Sequence, residues 1–193
     1  MRRAVLLTFV ALLVFQVALA QSDEDKVYKK LDKALEDKER VYHLKLKWKW
    51  YKEIPPEVYE FENLRTLIIK RNRIKEIPDE ISRLTELREL DVSWNKLERI
   101  SPEIGKLEKL EVLDLGKNNM EQLPGEIGQL TRLKELHVWS NDFSEIPVEF
   151  QNLKKIEKAD FRHIKLNEHE QNAIRNVLPE DAELKFSPSC NCL

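Results

Sequence analysis

The stretch Leu110-Glu111-Val112-Leu113-Asp114-Leu115-Gly116-Lys117-Asn118-Asn119-Met120-Glu121-Gln122-Leu123-Pro124-Gly125-Glu126-Ile127-Gly128-Gln129-Leu130-Thr131-Arg132 is one turn of a repeating chain. Its apolar residues stand at positions 1, 4, 6, 11, 14, 18 and 21 of a 23-residue unit. The same phase returns at Leu64, Leu87, Leu110, Leu133 and Ile156, with no insertion between them. Asparagine holds position 9 in four units, as Asn72, Asn95, Asn118 and Asn141. Leucines at positions 4 and 6, separated by a polar residue, are the alternation of a short strand with one buried face. Successive strands in phase predict a parallel sheet, with the asparagine amides turned inward to satisfy backbone groups at the bend.

Beyond position 13 the chain changes character. Ile77-Pro78-Asp79-Glu80-Ile81 and its equivalents place proline and carboxylates where a helix would start. Glu57, Glu80, Glu103, Glu126 and Glu149 recur at position 17 and read as structural. Counting back and forward in steps of 23 gives six units, 41–63, 64–86, 87–109, 110–132, 133–155 and a degenerate 156–166. Lys49 and Ile164 replace asparagine in the outer two, as suits units with one neighbour missing. Residues 21–40 are expected to form an N-terminal helical cap, with Val27, Leu31 and Leu35 on one face of a helix over 24–40. Residues 167–193 are expected to form a C-terminal cap: a helix over 168–178 ending before Pro179, a final edge strand at Leu184-Lys185-Phe186, and a Cys-x-Cys tail.

Together these residues resemble the leucine-rich-repeat superfamily. The form is the 23-residue one that carries Leu123-Pro124-Gly125-Glu126-Ile127-Gly128-Gln129-Leu130. The resemblance covers residues 28 to about 186. It implies an α/β repeat solenoid: a curved parallel sheet on the concave side, short helices on the convex side, and helical caps at both ends. Among animal and plant proteins this form is similar to the intracellular Ras-associated group, which an export signal does not suit. The chain has no cysteine before Cys190 and no Asn-x-Ser/Thr acceptor, unlike many extracellular eukaryotic relatives. It is closer to small secreted bacterial repeat proteins, whose N-terminal cap the Tyr28–Leu46 segment resembles.

Residues 1–20 read as a signal peptide. Arg2 and Arg3 precede an apolar run from Ala4 to Phe15, and Ala18-Leu19-Ala20 supplies the small residues of a cleavage site after Ala20. The bland alternative is an uncleaved anchor. Export to the periplasm or the exterior follows, with no stable membrane insertion once the signal is removed. Without that segment 31 basic and 35 acidic residues remain, a net charge of 31 − 35 = −4. So mild a balance supplies no reason to expect nucleic-acid binding. With only four glycines, a glycine-rich phosphate loop is not expected.

Solvent-facing positions suggest a ligand surface. Positions 7 and 8 gather Lys47, Trp48, Lys70, Arg71, Trp94, Lys117, Trp139 and Arg162, with no acid among them. Positions 3 and 5 hold Glu89, Asp91, Asp114, Glu135, His137 and Asp160. A concave face acidic along one edge and basic-aromatic along the other is expected, centred on Trp94 and Trp139. Trp48 and Trp50 could instead seal the N-terminal end. His137 between Asp114 and Asp160 could hold a metal or be a charge-paired histidine; the second is the commoner arrangement, and no metal is assigned. Cys190 and Cys192 could pair with each other, pair with another chain or stay free. No catalytic residues and no cofactor are assigned. The expected function is a non-enzymatic protein-interaction module. The alternative is a cell-envelope glycan-binding protein using the concave tryptophans and carboxylates.

Overall fold

The computed structural model describes residues 24–188. The signal segment 1–20 and the pair Cys190 and Cys192 lie outside the described residues.

Each unit contributes one three- or four-residue strand: β2 (His43–Lys45), β3 (Thr66–Ile68), β5 (Glu89–Asp91), β7 (Val112–Asp114), β8 (Glu135–His137) and β9 (Lys158–Phe161). All are parallel and paired position for position, as in Leu90 against Leu113 and Leu113 against Leu136. With β1 (Val27–Tyr28) and β10 (Glu183–Phe186) the sheet has eight strands in the order β1-β2-β3-β5-β7-β8-β9-β10. On the far side β4 (Glu76–Ile77) and β6 (Arg99–Ile100) form a two-stranded ladder between the second and third units. Leu44, Leu67, Leu90, Leu113 and Leu136 at position 4 are fully buried, as are Leu64, Leu87, Leu110 and Leu133 at position 1. The core is one continuous column.

The convex elements are short helices, as expected, and of the 3-10 kind: Pro56–Glu60, Asp79–Arg83, Pro102–Lys106, Gly125–Gln129 and Val148–Asn152, five residues each. Positions 18 and 21 explain why. Spaced by three, as Ile81 and Leu84 are, two side chains eclipse each other only at three residues per turn. The i→i+3 bonds are present: Ile81 N–H donates to Pro78 O at 3.1 Å, and Leu84 N–H to Ile81 O at 3.1 Å. Gly105 and Gly128 let adjacent turns approach backbone to backbone. A β-carbon on Gly128 would lie 2.4 Å from the Glu149 carbonyl oxygen.

The asparagine row stitches successive units together. Asn118 Nδ2 donates to Leu115 O at 2.8 Å within its own unit and to Val92 O at 3.2 Å in the unit before; its Oδ1 accepts Leu97 N–H at 2.9 Å. Asn72, Asn95 and Asn141 repeat the pattern. Immediately before the asparagine, position 8 is left-handed in all six units, with φ between 56° and 59° at Trp48, Arg71, Trp94, Lys117, Ser140 and His163. This reversal turns position 9 inward.

The N-terminal cap is not one amphipathic helix over 24–40. It is β1, then α1 (Leu31–Leu35), then a 3-10 turn at Lys38–Arg40. The open edge of β2 presents unpaired backbone groups, which a strand satisfies and a helix cannot. Val27 pairs with His43 and Tyr28 with Leu44; Tyr28 and Ala34 are buried while Val27 is exposed. At the other end α2 (Glu168–Val177) begins at a capping box, Asn167 Oδ1 accepting Glu170 N–H and Glu170 Oε2 accepting Asn167 N–H. Strand β10 then pairs with β9, and Phe186 stacks on Phe161 at 5.3 Å. Ser187 stands in for the missing next unit: its Oγ accepts His163 N–H at 2.7 Å.

Candidate functional site: the basic-aromatic rim

Because strands pair in register, side chains at one position of neighbouring units become neighbours in space. Arg71 and the two tryptophans flanking it at position 8 show the consequence. The Arg71 guanidinium lies 4.6 Å from the Trp48 ring centre and 4.9 Å from that of Trp94, so it bridges two indoles. Trp94 meets Trp139 edge to face, 5.9 Å between centres at 71°. Four side chains from four units thus form one file along the rim of the sheet. Trp48 is 61% exposed and Trp94 44% exposed, whereas Trp139 is half-buried. Trp139 lies over Gly116, where a β-carbon would come within 2.2 Å of its Nε1. Beside the file, Arg73 lies 4.4 Å from the ring of Trp50.

The acidic row at position 5 is less available. Asp91 is buried; its Oδ1 accepts Ser93 N–H and Ser93 Oγ–H, and its Oδ2 pairs with Lys70 Nζ at 2.9 Å. Asp160 is buried and held by Arg162 through N–H, Nε and Nη2. Burial by itself would raise the Asp160 carboxyl, but the hydrogen bonds and charge of Arg162 outweigh it and hold the group below the usual carboxylate range. Asp114 accepts Gly116 N–H at 2.9 Å. With no cation bonded to it, burial raises its carboxyl, and the nearby Asp91 charge adds to this.

His137 sits in register between Asp114 and Asp160, yet its Nε2 lies 3.4 Å from Glu135 Oε2 on its own strand. Among the described residues no group of three or more His, Cys, Asp or Glu side chains converges to hold a metal ion. Lys117 is exposed. The structure therefore brings Trp48, Arg71, Trp94 and Trp139 into one file, and ties Lys70, Asp91 and Arg162 into ion pairs.

Two participants were not singled out from sequence. Arg73 stacks on Trp50, and Gly116 makes room for Trp139. Gly116 had a legible signal: it is the one glycine in the position 7 column, a unit before Trp139 in the same column. Grooves of about 250, 300 and 430 Å³ open elsewhere, lined by residues such as Ile146, Leu123 and Ile77 at positions 13 to 16.

A repeating strand-and-turn unit, parallel pairing at a 23-residue offset and an inward asparagine row define a repeat solenoid with a parallel sheet along one side. The chain belongs to the leucine-rich-repeat family: the profile of the leucine-rich repeat region matches residues 80–180, and that of the single leucine-rich repeat matches residues 63–84. Domains of this family commonly act as protein-interaction modules. No protein of curated function matches the chain.

Among solved structures it is similar to a leucine-rich-repeat protein of Leptospira interrogans (TM-score 0.64, 27% identity, 86% of this chain and 49% of that one). It is also similar to the leucine-rich-repeat ectodomain of the membrane receptor kinase GASSHO1/SCHENGEN3 from Arabidopsis thaliana, solved in complex with Casparian strip integrity factor 2. There the TM-score is 0.62 and the identity 30%, over 75% of this chain and 18% of that one. A plant ice-binding protein gives a TM-score of 0.54 at 31% identity, over 60% of this chain and 39% of that one. The chain thus spans half or less of the length of each of these structures.

Proposed function

We propose that the chain is a non-enzymatic module that acts after export and binds a protein partner through the concave rim centred on Trp94 and Trp139. The observation that carries the reading is the file Trp48–Arg71–Trp94–Trp139. Its rings are large, positioned by stacking and largely solvent-facing, which is the make-up of an interface hot spot. The family supports the class of function, and the plant receptor ectodomain is itself solved in complex with Casparian strip integrity factor 2. The alternative is a glycan of the cell envelope. It fits the rim less well, since Trp48 and Trp94 each give one face to Arg71, which leaves fewer ring faces for a sugar to stack on.

The test is cross-linking of the exported protein in its native cells, wild type against Trp94→Ala with Trp139→Ala. Loss of the captured partner with unchanged thermal unfolding is expected. Equal capture by the double variant would remove the function from this face. A glycan-array hit lost in the same variant would favour the alternative.

A further inference from the structure

The first unit carries a surface that shares Trp48 and Arg71 with the end of the rim file and runs on beyond it to Trp50 and Arg73. Lys45-Leu46-Lys47-Trp48-Lys49-Trp50-Tyr51-Lys52 sets four lysines and three aromatic residues in a row without an acid. Leu46 is fully buried and Tyr51 packs partly against the core, while Trp48 and Trp50 stand 61% and 67% exposed. The backbone here departs from the other units. Elsewhere only position 8 is left-handed; in this unit position 10 is too, with Trp50 at φ 62°.

Glycine or asparagine would adopt that conformation at less cost than tryptophan, and packing does not ask for an indole so exposed. Asn72 Oδ1 fixes the turn by accepting Lys49 N–H at 2.9 Å and Tyr51 N–H at 3.3 Å. Strain held at a bulky, solvent-facing residue marks a site with a use.

The charges around these rings are also unspent. The Arg71 guanidinium lies over Trp48 and that of Arg73 over Trp50, contacts that neutralise neither charge. Among the described residues no carboxylate pairs with Arg71, Arg73, Lys47, Lys49 or Lys52, although Lys70 and Lys75 nearby have their partners in Asp91 and Glu98. A partner must therefore cover two exposed indoles and neutralise several cations at once. A purely acidic peptide would meet the charges and leave the rings in water. An apolar groove would do the reverse.

We propose that this edge docks on an anionic phospholipid surface. Tryptophan is at home at the depth of the headgroups, guanidinium groups take phosphate oxygens in their plane, and lysines add long-range attraction. The contact is peripheral: no helix among the described residues is long and apolar enough to cross a membrane.

The test uses the chain starting at Gln21, which keeps every described residue and lacks the apolar run Ala4–Phe15 that would itself bind lipid. Co-sedimentation and tryptophan emission are measured with vesicles of phosphatidylcholine mixed with phosphatidylglycerol, and with phosphatidylcholine alone. Partition onto the anionic vesicles with a blue shift, weakening as salt rises, is expected. Each neutralised cation costs about fivefold, so Lys49→Gln with Arg73→Gln loses roughly 25-fold. Trp50→Gly also weakens partition, and because glycine relieves the left-handed position this loss cannot be put down to unfolding.

Trp94→Ala with Trp139→Ala partitions as wild type, so the result is independent of the fate of the concave reading. Equal binding to neutral vesicles, no binding to either, or loss in the Trp94/Trp139 variant overturns the proposal. Tighter binding to a poly-glutamate peptide than to the anionic vesicles would also overturn it, reassigning the edge to an acidic protein.

Discussion

Trp139 occupies the space that a side chain on Gly116 would need: its Nε1 lies 2.2 Å from where the β-carbon would be. The two residues share position 7 in adjacent units, and the bare α-carbon lets the indole lie down and meet Trp94 edge to face. Gly116→Ala is therefore expected to lift Trp139 away from Trp94. The displaced atoms belong to a side chain that can swing outward, so the loss of stability stays small, about 1 kcal/mol. Gly128→Ala meets the Glu149 backbone instead, and is expected to cost roughly 2–3 kcal/mol. Thermal unfolding and tryptophan emission of the two variants separate a ring movement from a strained convex face.

Asn118→Ala removes one acceptor and two principal donor bonds from a buried site between units three and four. The Leu97 N–H loses its partner, while Val92 O and Leu115 O each keep one bond, from Asn95 Nδ2 and Asn141 Nδ2, so a loss of about 2 kcal/mol is expected in urea unfolding. Asn72→Ala, at a part-buried site that water can reach, should cost less. Equal losses would mean that water does not relieve the end of the row.

Tyr59 is buried at position 19, where the third and fourth units have glycine, and its hydroxyl has no hydrogen-bond partner among the described residues. Burial, with Glu80, Glu53 and Glu76 near, pushes the phenol far above its ordinary range. Tyr59→Phe keeps the ring and deletes the orphaned group, so a gain of roughly 1 kcal/mol is expected. Destabilisation would show that the hydroxyl finds a partner in solution.

Asp114 gives a pH signature of defined sign. Its carboxyl is raised in the folded chain, chiefly by burial, so the ionised form destabilises the fold at neutral pH. That penalty is relieved as pH falls through the raised folded value, because the folded state then takes up the proton first. Asp114→Asn retains an oxygen for Gly116 N–H and is expected to be more stable than wild type at pH 7, the gap closing in acid. Glu111 and Glu135 run the other way. Lowered first by their hydrogen bonds from Lys134 and Lys158, they contribute stability above the ordinary glutamate range that is lost as pH falls through their folded values. Both are only partly buried, so salt screens much of the effect.

Lys117 is the simplest test of the left-handed position 8. Its φ is 56° and its side chain is exposed, so the backbone conformation dominates the outcome. Lys117→Asn is expected to stabilise by about 0.5–1 kcal/mol and Lys117→Val to destabilise by more than that. Circular dichroism melts of the pair decide it.

Periodicity determined the solenoid. A residue type that returns every 23 positions dictates what is inside, because one face of each strand must be apolar and one amide must serve the bend. Hence Leu90, Leu113 and Asn118 were legible as core strand and inward asparagine from the chain itself. The ends were less so, since a cap answers to the open edge of a neighbour rather than to its own pattern; Val27 reads as part of a helix and is a strand because β2 needs a partner. The rim divides in the same way. That Trp48, Arg71, Trp94 and Trp139 share solvent-facing columns follows from the phase. That Arg71 stacks between two rings, that Asp91 and Asp160 are spent on Lys70 and Arg162, and that Gly116 beds Trp139 was decided only by tertiary structure. Those contacts run between units, and a linear pattern records which column a side chain occupies but not which way it leans.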